Sequence, residues 1–152
     1  VVDAVNIPVI GAGGIADGRG ITAAFALGAS GIQVGTRFLA SEECQIHDNY
    51  KNAVIKSKDI DTVVTGRCTG HPVQVLKNKL AKEYLKLENA NASIDELEEL
   101  GKGALKKAVV DGDIENGSLM AGQISGMVKK VQSVKEIIEE MFNEYEEVKR
   151  SL

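Results

Sequence analysis

The sequence predicts an α/β fold with a parallel sheet, and three observations carry that expectation. Two short strand-like runs, the apolar Pro8-Val9-Ile10 and then Ile32-Gln33-Val34, each break into glycine. A helical stretch, Ile21 to Leu27, separates them. Each glycine turn opens toward helix-like residues, as in consecutive parallel βα units.

The first run is apolar throughout and bounded by Gly11, Gly13 and Gly14, which fits a strand buried on both faces. Those glycines remove Cβ atoms where the backbone must turn tightly and expose its amides. Gly28 stands at the stop position of the following helix. After Ile32-Gln33-Val34, Gly35-Thr36 opens the second turn. Two such turns, each with amides near a helix N-terminus, make a place for a phosphate dianion. One glycine turn alone serves plain tight packing equally well. A pair on adjacent strands is what the loops after the last two strands of an eight-stranded βα barrel provide. The dinucleotide-binding alternative fits poorly. Gly11, Gly13 and Gly14 do not match G-x-G-x-x-G, and no acidic residue follows Ile32-Gln33-Val34 to hold a ribose.

Beyond Leu39 the chain is polar, then helical around Tyr50 to Ile55, with His47 read as a surface or capping residue. Asp61 to Val64 is strand-like by its β-branching, and Gly66 to Pro72 is a loop. Val73, Leu76, Leu80, Tyr84 and Leu87 recur at helical spacing, which predicts a helix over 73–87. Lys77, Lys79 and Lys82 lie on its other faces, as a solvated surface or as contacts for an anionic cofactor or carrier protein. His71 could exchange a proton near neutral pH or could orient its loop through a backbone carbonyl.

Ser93 to Glu96 is a capping box that starts a helix anchored by Leu97 and Leu100 and ended by Gly101 and Gly103. Asp111, Asp113 and Glu115 alternate like calcium ligands without the rest of that pattern, so a turn is the better reading. In Met120-Ala-Gly-Gln-Ile-Ser-Gly, small residues flank Gln123, whose amide donates and accepts. The residues alone favour a helix-packing surface there. Ser133 to Glu136 is a second capping box, opening a helix with Val134, Ile138, Met141, Tyr145 and Val148 on one stripe and acidic residues on the other side.

The chain has 152 residues, enough for a real core but short of the about 250 of a complete barrel. It begins at Val1, directly before a late-barrel strand, which predicts the later part of a longer chain. Such a part would expose strand edges and be marginal or associating alone. Net charge −4 and pI near 5.3 give no basic field for nucleic acid or an anionic membrane. No apolar run is long enough to span a bilayer and no secretory pattern opens the chain. Cys44 and Cys68 form neither a ligand pair nor a disulfide framework, so a cytoplasmic setting with reduced thiols and no metal site is expected.

The blocks PVIGAGGIADG and GASGIQVGTRF resemble the nitronate monooxygenase and flavin-dependent enoyl-acyl-carrier-protein reductase group. DIDTVVTGRCTGHPVQVLKNKL and GALKKAVVDGDIENGSLMAGQISGMV continue the resemblance and look most like the reductases of bacterial fatty-acid synthesis. It implies the C-terminal half of an FMN-binding TIM barrel, with a helical insertion and a C-terminal helix. Residues 1–60 would be the last βα units, 61–125 a covering segment that returns to the flavin, and 126–152 the final helix.

The resemblance further implies FMN and NAD(P)H as cofactors, and an enoyl thioester on acyl carrier protein as substrate. The missing N-terminal half of the barrel and a possible second copy are the other expected partners. Gly13, Gly14, Gln33, Val34, Gly35 and Thr36 would surround the FMN phosphate, with Arg37 either touching it or pairing with an acid. MAGQI matches the stretch that lies against the flavin in related enzymes, which turns the reading of Gln123 from packing to cofactor contact. The catalytic residue is expected upstream of Val1, with His71 a secondary candidate.

Two rivals share parts of this pattern. Nitronate oxidation with dioxygen uses the same fold and FMN. An IMP-dehydrogenase-like barrel would place a nucleophilic cysteine between the two turns, and none stands between Gly14 and Gly35. A phosphate- or nucleotide-binding barrel fragment without catalysis is the non-enzymatic alternative.

Overall fold

A computed structural model describes residues 1–152, which fall into two compact units. The first comprises 1–44 and 130–152, and the second comprises 45–129. The C-terminal helix falls in one unit with the βα turns, and residues 45–60 fall in one unit with 61–125.

In the first unit, β1 (Ile10–Ala12) and β2 (Gly31–Gln33) pair in parallel, and α1 (Gly18–Ala26) connects them. Ile10 faces Gly31, Gly11 faces Ile32, and Ala12 faces Gln33. The first strand starts later than its apolar run because Pro8 has no N–H to give a ladder, although Ser30 still donates to the Val9 carbonyl at 2.7 Å. The expectation of burial on both faces is not met: Ile10 is 53% exposed, and β1 pairs with β2 alone.

Asp17 caps α1, its carboxylate accepting from the amides of Arg19 and Gly20. The helix ends as the sequence requires, with Gly28 and Ala29 donating back to Phe25 and Ala24. The short α2 (Thr36–Leu39) follows β2, and α7 (Val134–Ser151) returns to lie on α1. Ile15, Ile21, Ile137 and Met141 form the core, with Phe25 and Tyr145 meeting edge to face at 5.4 Å. The helices touch backbone to backbone at Gly18, where a Cβ would stand 2.2 Å from the Tyr145 nitrogen. The Gly18 amide donates to Glu144 at 2.9 Å in that gap.

The capping box at Ser133 and Glu136 is present, but the apolar stripe of α7 differs from the expected one. Ile137 is fully buried and Ile138 is 44% exposed. Both spacings fit a helical period, and the partner helix selects Ile137.

In the second unit, α3 (Asp48–Lys56) is capped by His47, whose Nδ1 accepts from the Asn49 amide, so the capping role expected of that residue holds. The expected helix over 73–87 is corrected. Residues Val73–Leu76 form β4, antiparallel to β3 (Thr62–Thr65), and only Lys79–Asn89 form a helix, α4. Val73 and Val75 alternate with Gln74, a strand pattern that merges by chance into the helical spacing downstream. Asn78 separates the two, its side chain accepting from the Ala81 amide as the cap of α4. Leu119 to Ala121 extend the sheet past β4, with Leu76 donating to Leu119 and Ala121 donating to Gln74. The helices α5 (Ile94–Gly101), opened by the Ser93–Glu96 capping box, and α6 (Ala104–Val109) complete the unit. Leu97 is fully buried at its centre.

Candidate functional site

The two glycine turns lie side by side. Because Ala12 is paired with Gln33, both strands of the first unit end at the same level, and both turns leave from the carboxyl ends of the sheet. That is where ligands sit in parallel α/β folds. Gly13 and Gly14 have φ of +88° and +74°, a conformation L side chains rarely adopt. No atom lies within 4 Å of where a Cβ would stand at Gly13, Gly14 or Gly35. The surface there is open backbone, a cradle that branched side chains would fill. Thr36 begins α2, so the second turn aims the first amides of a helical turn toward the same end. The arrangement can hold a phosphate-sized anion.

The sequence-derived residues separate on closer view. Gly13, Gly14, Gln33 and Gly35 are exposed at the sheet end, and Thr36 is half-buried beside them. The side chain of Val34 instead packs against the Ile15–Met141 core, so only its backbone faces the turn. Arg37 is buried and turned onto the C-terminal segment. Its Nη2 donates to the Gln132 side chain and stands 3.6 Å from Glu140, while Nη1 is buried without a hydrogen-bond partner. The pairing with an acid is thus realised, but in the interior rather than on the surface.

Gln123 lies in the second unit. It opens a 3-10 turn, Gln123–Met127, not an α-helix, and its side chain is exposed. The small residues around it have separate explanations. Ala121 is buried in the sheet extension, and Gly126 passes so close to Lys58 and Asp59 that a Cβ would meet the Asp59 nitrogen at 2.6 Å. The strand-like Leu119–Ala121 segment is anchored by Tyr50, whose hydroxyl donates to the Met120 carbonyl at 2.8 Å. Sequence reasoning missed Tyr50, Gln132, Glu140 and Glu144 because their roles depend on partners far along the chain.

His71 is exposed in the loop between β3 and β4. Glu88 on α4 holds that loop, accepting from the Cys68 amide at 3.2 Å. Partial burial pushes the Glu88 carboxyl up, but the amides of Cys68, Gly66 and Arg67 outweigh it and keep it below the usual range. The Cys68 thiol is pushed up by burial and by Glu88. Lys77, Lys79 and Lys82 are all exposed. Asp113 folds its carboxylate onto the amides of Glu115 and Asn116, the turn expected there. No helix is long and apolar enough to cross a membrane.

A model of the family described as nitronate monooxygenase matches residues 1–144. A probable nitronate monooxygenase of Staphylococcus saprophyticus is 36% identical over 132 residues, covering 87% of this chain and 37% of that protein. The structure of FabK from Thermotoga maritima superposes with a TM-score of 0.94 at 48% identity, over 99% of this chain and 48% of that one. A nitroalkane oxidase from Streptomyces ansochromogenes superposes with a TM-score of 0.79 at 31% identity, over 99% of this chain and 42% of that one. The chain therefore spans a little over a third of that curated relative and just under half of these solved chains.

Proposed function

The chain belongs to the nitronate monooxygenase family, and from that premise we propose that it is the C-terminal half of an FMN-dependent enoyl-acyl-carrier-protein reductase with a TIM-barrel fold. The observation that carries the reading is its 48% identity, across 99% of its length, to FabK from Thermotoga maritima. The open edge of β1 supports the barrel half of the proposal. Ile7 and Ile10 are exposed, and an open concavity of about 560 Å³ borders Gly11 to Ile15. A further βα unit would cover these groups.

In this reading, the backbone of Gly13, Gly14 and Gly35 and the first residue of α2, Thr36, cradle the FMN phosphate. Gln33 flanks it from the strand end, with Val34 contributing backbone alone. Gln123 lies near the isoalloxazine ring, its amide able to donate and accept at once. When bound, FMN would supply hydride transfer from NAD(P)H to the β-carbon of the enoyl thioester. The residues of this chain would bind and orient, with the main proton donor supplied from the other part of the barrel. His71 stands as a secondary candidate for proton exchange. Cytoplasmic fatty-acid synthesis, an acyl-carrier-protein partner and association with a second copy are parts of the same proposal.

Oxidation of nitronates with dioxygen is the second reading, favoured by the name of the curated Staphylococcus saprophyticus relative. One assay separates the two. The full-length protein should consume NAD(P)H with crotonyl thioester and show no oxygen uptake with alkyl nitronates. The reverse pattern establishes the monooxygenase, and flavin binding with neither activity establishes a binding module.

A further inference from the structure

The second unit contains a cleft of about 190 Å³ between the β3–β4 hairpin and helices α4 to α6. Val73, Val75, Leu80, Tyr84, Leu119 and Met120 form its apolar walls, and no Asp, Glu, Lys or Arg lines it. Thr65, His71, Asn78 and Ser118 add polar groups to its lining. Asn78 is fully committed, its Nδ2 donating to Ile114 and Gly117 at 2.8 Å and its Oδ1 accepting from Ala81. Burial and the nearby charge of Glu88 both raise the Tyr84 phenol, which stays neutral.

The volume, about 190 Å³, is below the about 300 Å³ at which drug-sized ligand pockets begin, so the cleft has room for a short apolar segment only. Met120 and Val73 are 41% and 36% exposed and form an apolar mouth. Methionine is common on binding surfaces that must adapt to flexible apolar partners. The wall that carries Met120 runs three residues further to Gln123, and it is fixed by the Leu76–Leu119 and Ala121–Gln74 hydrogen bonds.

We propose that this cleft takes the alkyl chain of the thioester substrate, entering past Met120 and Val73, while the reacting end remains on the Gln123 side. The assignment rests on the reductase reading given above. Tyr84 and Ala81, on the same face of α4, then limit the chain length accepted.

The test uses the full-length flavoenzyme in two variants. Ala81→Leu fills the cleft from α4, and Val73→Trp narrows it from an exposed rim position that leaves the core intact. Binding of octanoyl-pantetheine, a saturated probe that needs no turnover, is measured by calorimetry. Values of kcat/KM are measured for crotonyl, octenoyl and dodecenoyl thioesters. Each methylene displaced from the cleft should weaken the long-chain probe by about fourfold, so the loss should grow with chain length and be smallest for crotonyl. Equal loss at every chain length in Val73→Trp, or no loss at any, overturns the proposal even if Ala81→Leu fails to fold. A wild-type protein that binds the probe, loses it in Val73→Trp, and reduces no enoyl thioester overturns the reductase reading and leaves the cleft assignment in place.

Discussion

Arg37 and Glu140 stand 3.6 Å apart, joining the residue after the second glycine turn to the C-terminal helix. Gln132 bridges them, accepting from Arg37 and donating to Glu140 at 2.5 Å. The Arg37 side chain is only 8% exposed, so water cannot replace a lost partner, whereas that of Glu140 is 36% exposed and also meets Lys130 at 3.3 Å. The pair therefore fixes α7 against α2 chiefly through the arginine.

Replacing Arg37 with alanine should destabilise the folded protein by about 1–3 kcal/mol, the range for a hydrogen bond to a charged group or a buried group left unsatisfied. The FMN dissociation constant of the full-length variant should change little, because Nη2 is already committed to α7. Denaturant unfolding and flavin titration read the two effects separately. A large loss of FMN affinity at unchanged stability would return Arg37 to the phosphate.

The same cluster sets a pH response. The Gln132 hydrogen bond chiefly, with Lys130 and Arg37, holds the Glu140 carboxyl below its ordinary range against the opposing effect of partial burial. Its folded pKa is thus lower than its unfolded one, so folding releases the proton more readily. The stabilisation is complete above the ordinary glutamate range and is lost as pH falls through the folded pKa. Thermal midpoints of wild type and Glu140→Gln, taken across the acid range, should differ near neutrality and converge as the pH drops. Parallel curves would show that Glu140 is uncoupled from folding.

Gly14 separates strain from ligand exclusion. At φ +74° any L side chain costs roughly 1–2 kcal/mol. The space at its Cβ position is empty, so Gly14→Val meets no protein atom there. The variant should fold with that modest loss yet retain far less FMN than wild type, because the branched side chain fills the cradle. Absorbance of the purified full-length protein gives the occupancy, and wild-type occupancy removes Gly14 from the phosphate site.

Structure is legible in the sequence where the physics is local. The capping boxes at Ser93 and Ser133, the Gly28 helix stop and the adjacent glycine turns need only neighbouring residues, and all appear. Errors arose where a tertiary partner chooses between patterns. Val73 to Leu76 satisfies a helical period, but pairing with Thr62 to Thr65 makes it a strand. Ile137 and Ile138 both suit an amphipathic stripe, and packing on α1 selects the first. The Arg37–Glu140 contact and the cleft beside Met120 depend on residues far apart in the chain, so no short window could announce them.

Gln123 offers the cleanest separation of cofactor contact from packing. Its side chain is exposed at the start of a 3-10 turn, while the buried work nearby is done by Ala121 and Ser125. Gln123→Leu keeps similar bulk and removes two donors and an acceptor. Because the position is outside the core, the flavin-free protein should melt within a degree or two of wild type, roughly the scatter expected of surface substitutions. If the amide bonds the flavin, its loss should weaken FMN retention or slow flavin reduction by about 1–3 kcal/mol, the cost of a partner left unsatisfied. The two readouts move independently. A variant that loses thermal stability while FMN affinity and reduction by NAD(P)H remain at wild-type values would assign Gln123 to folding and withdraw it from the flavin.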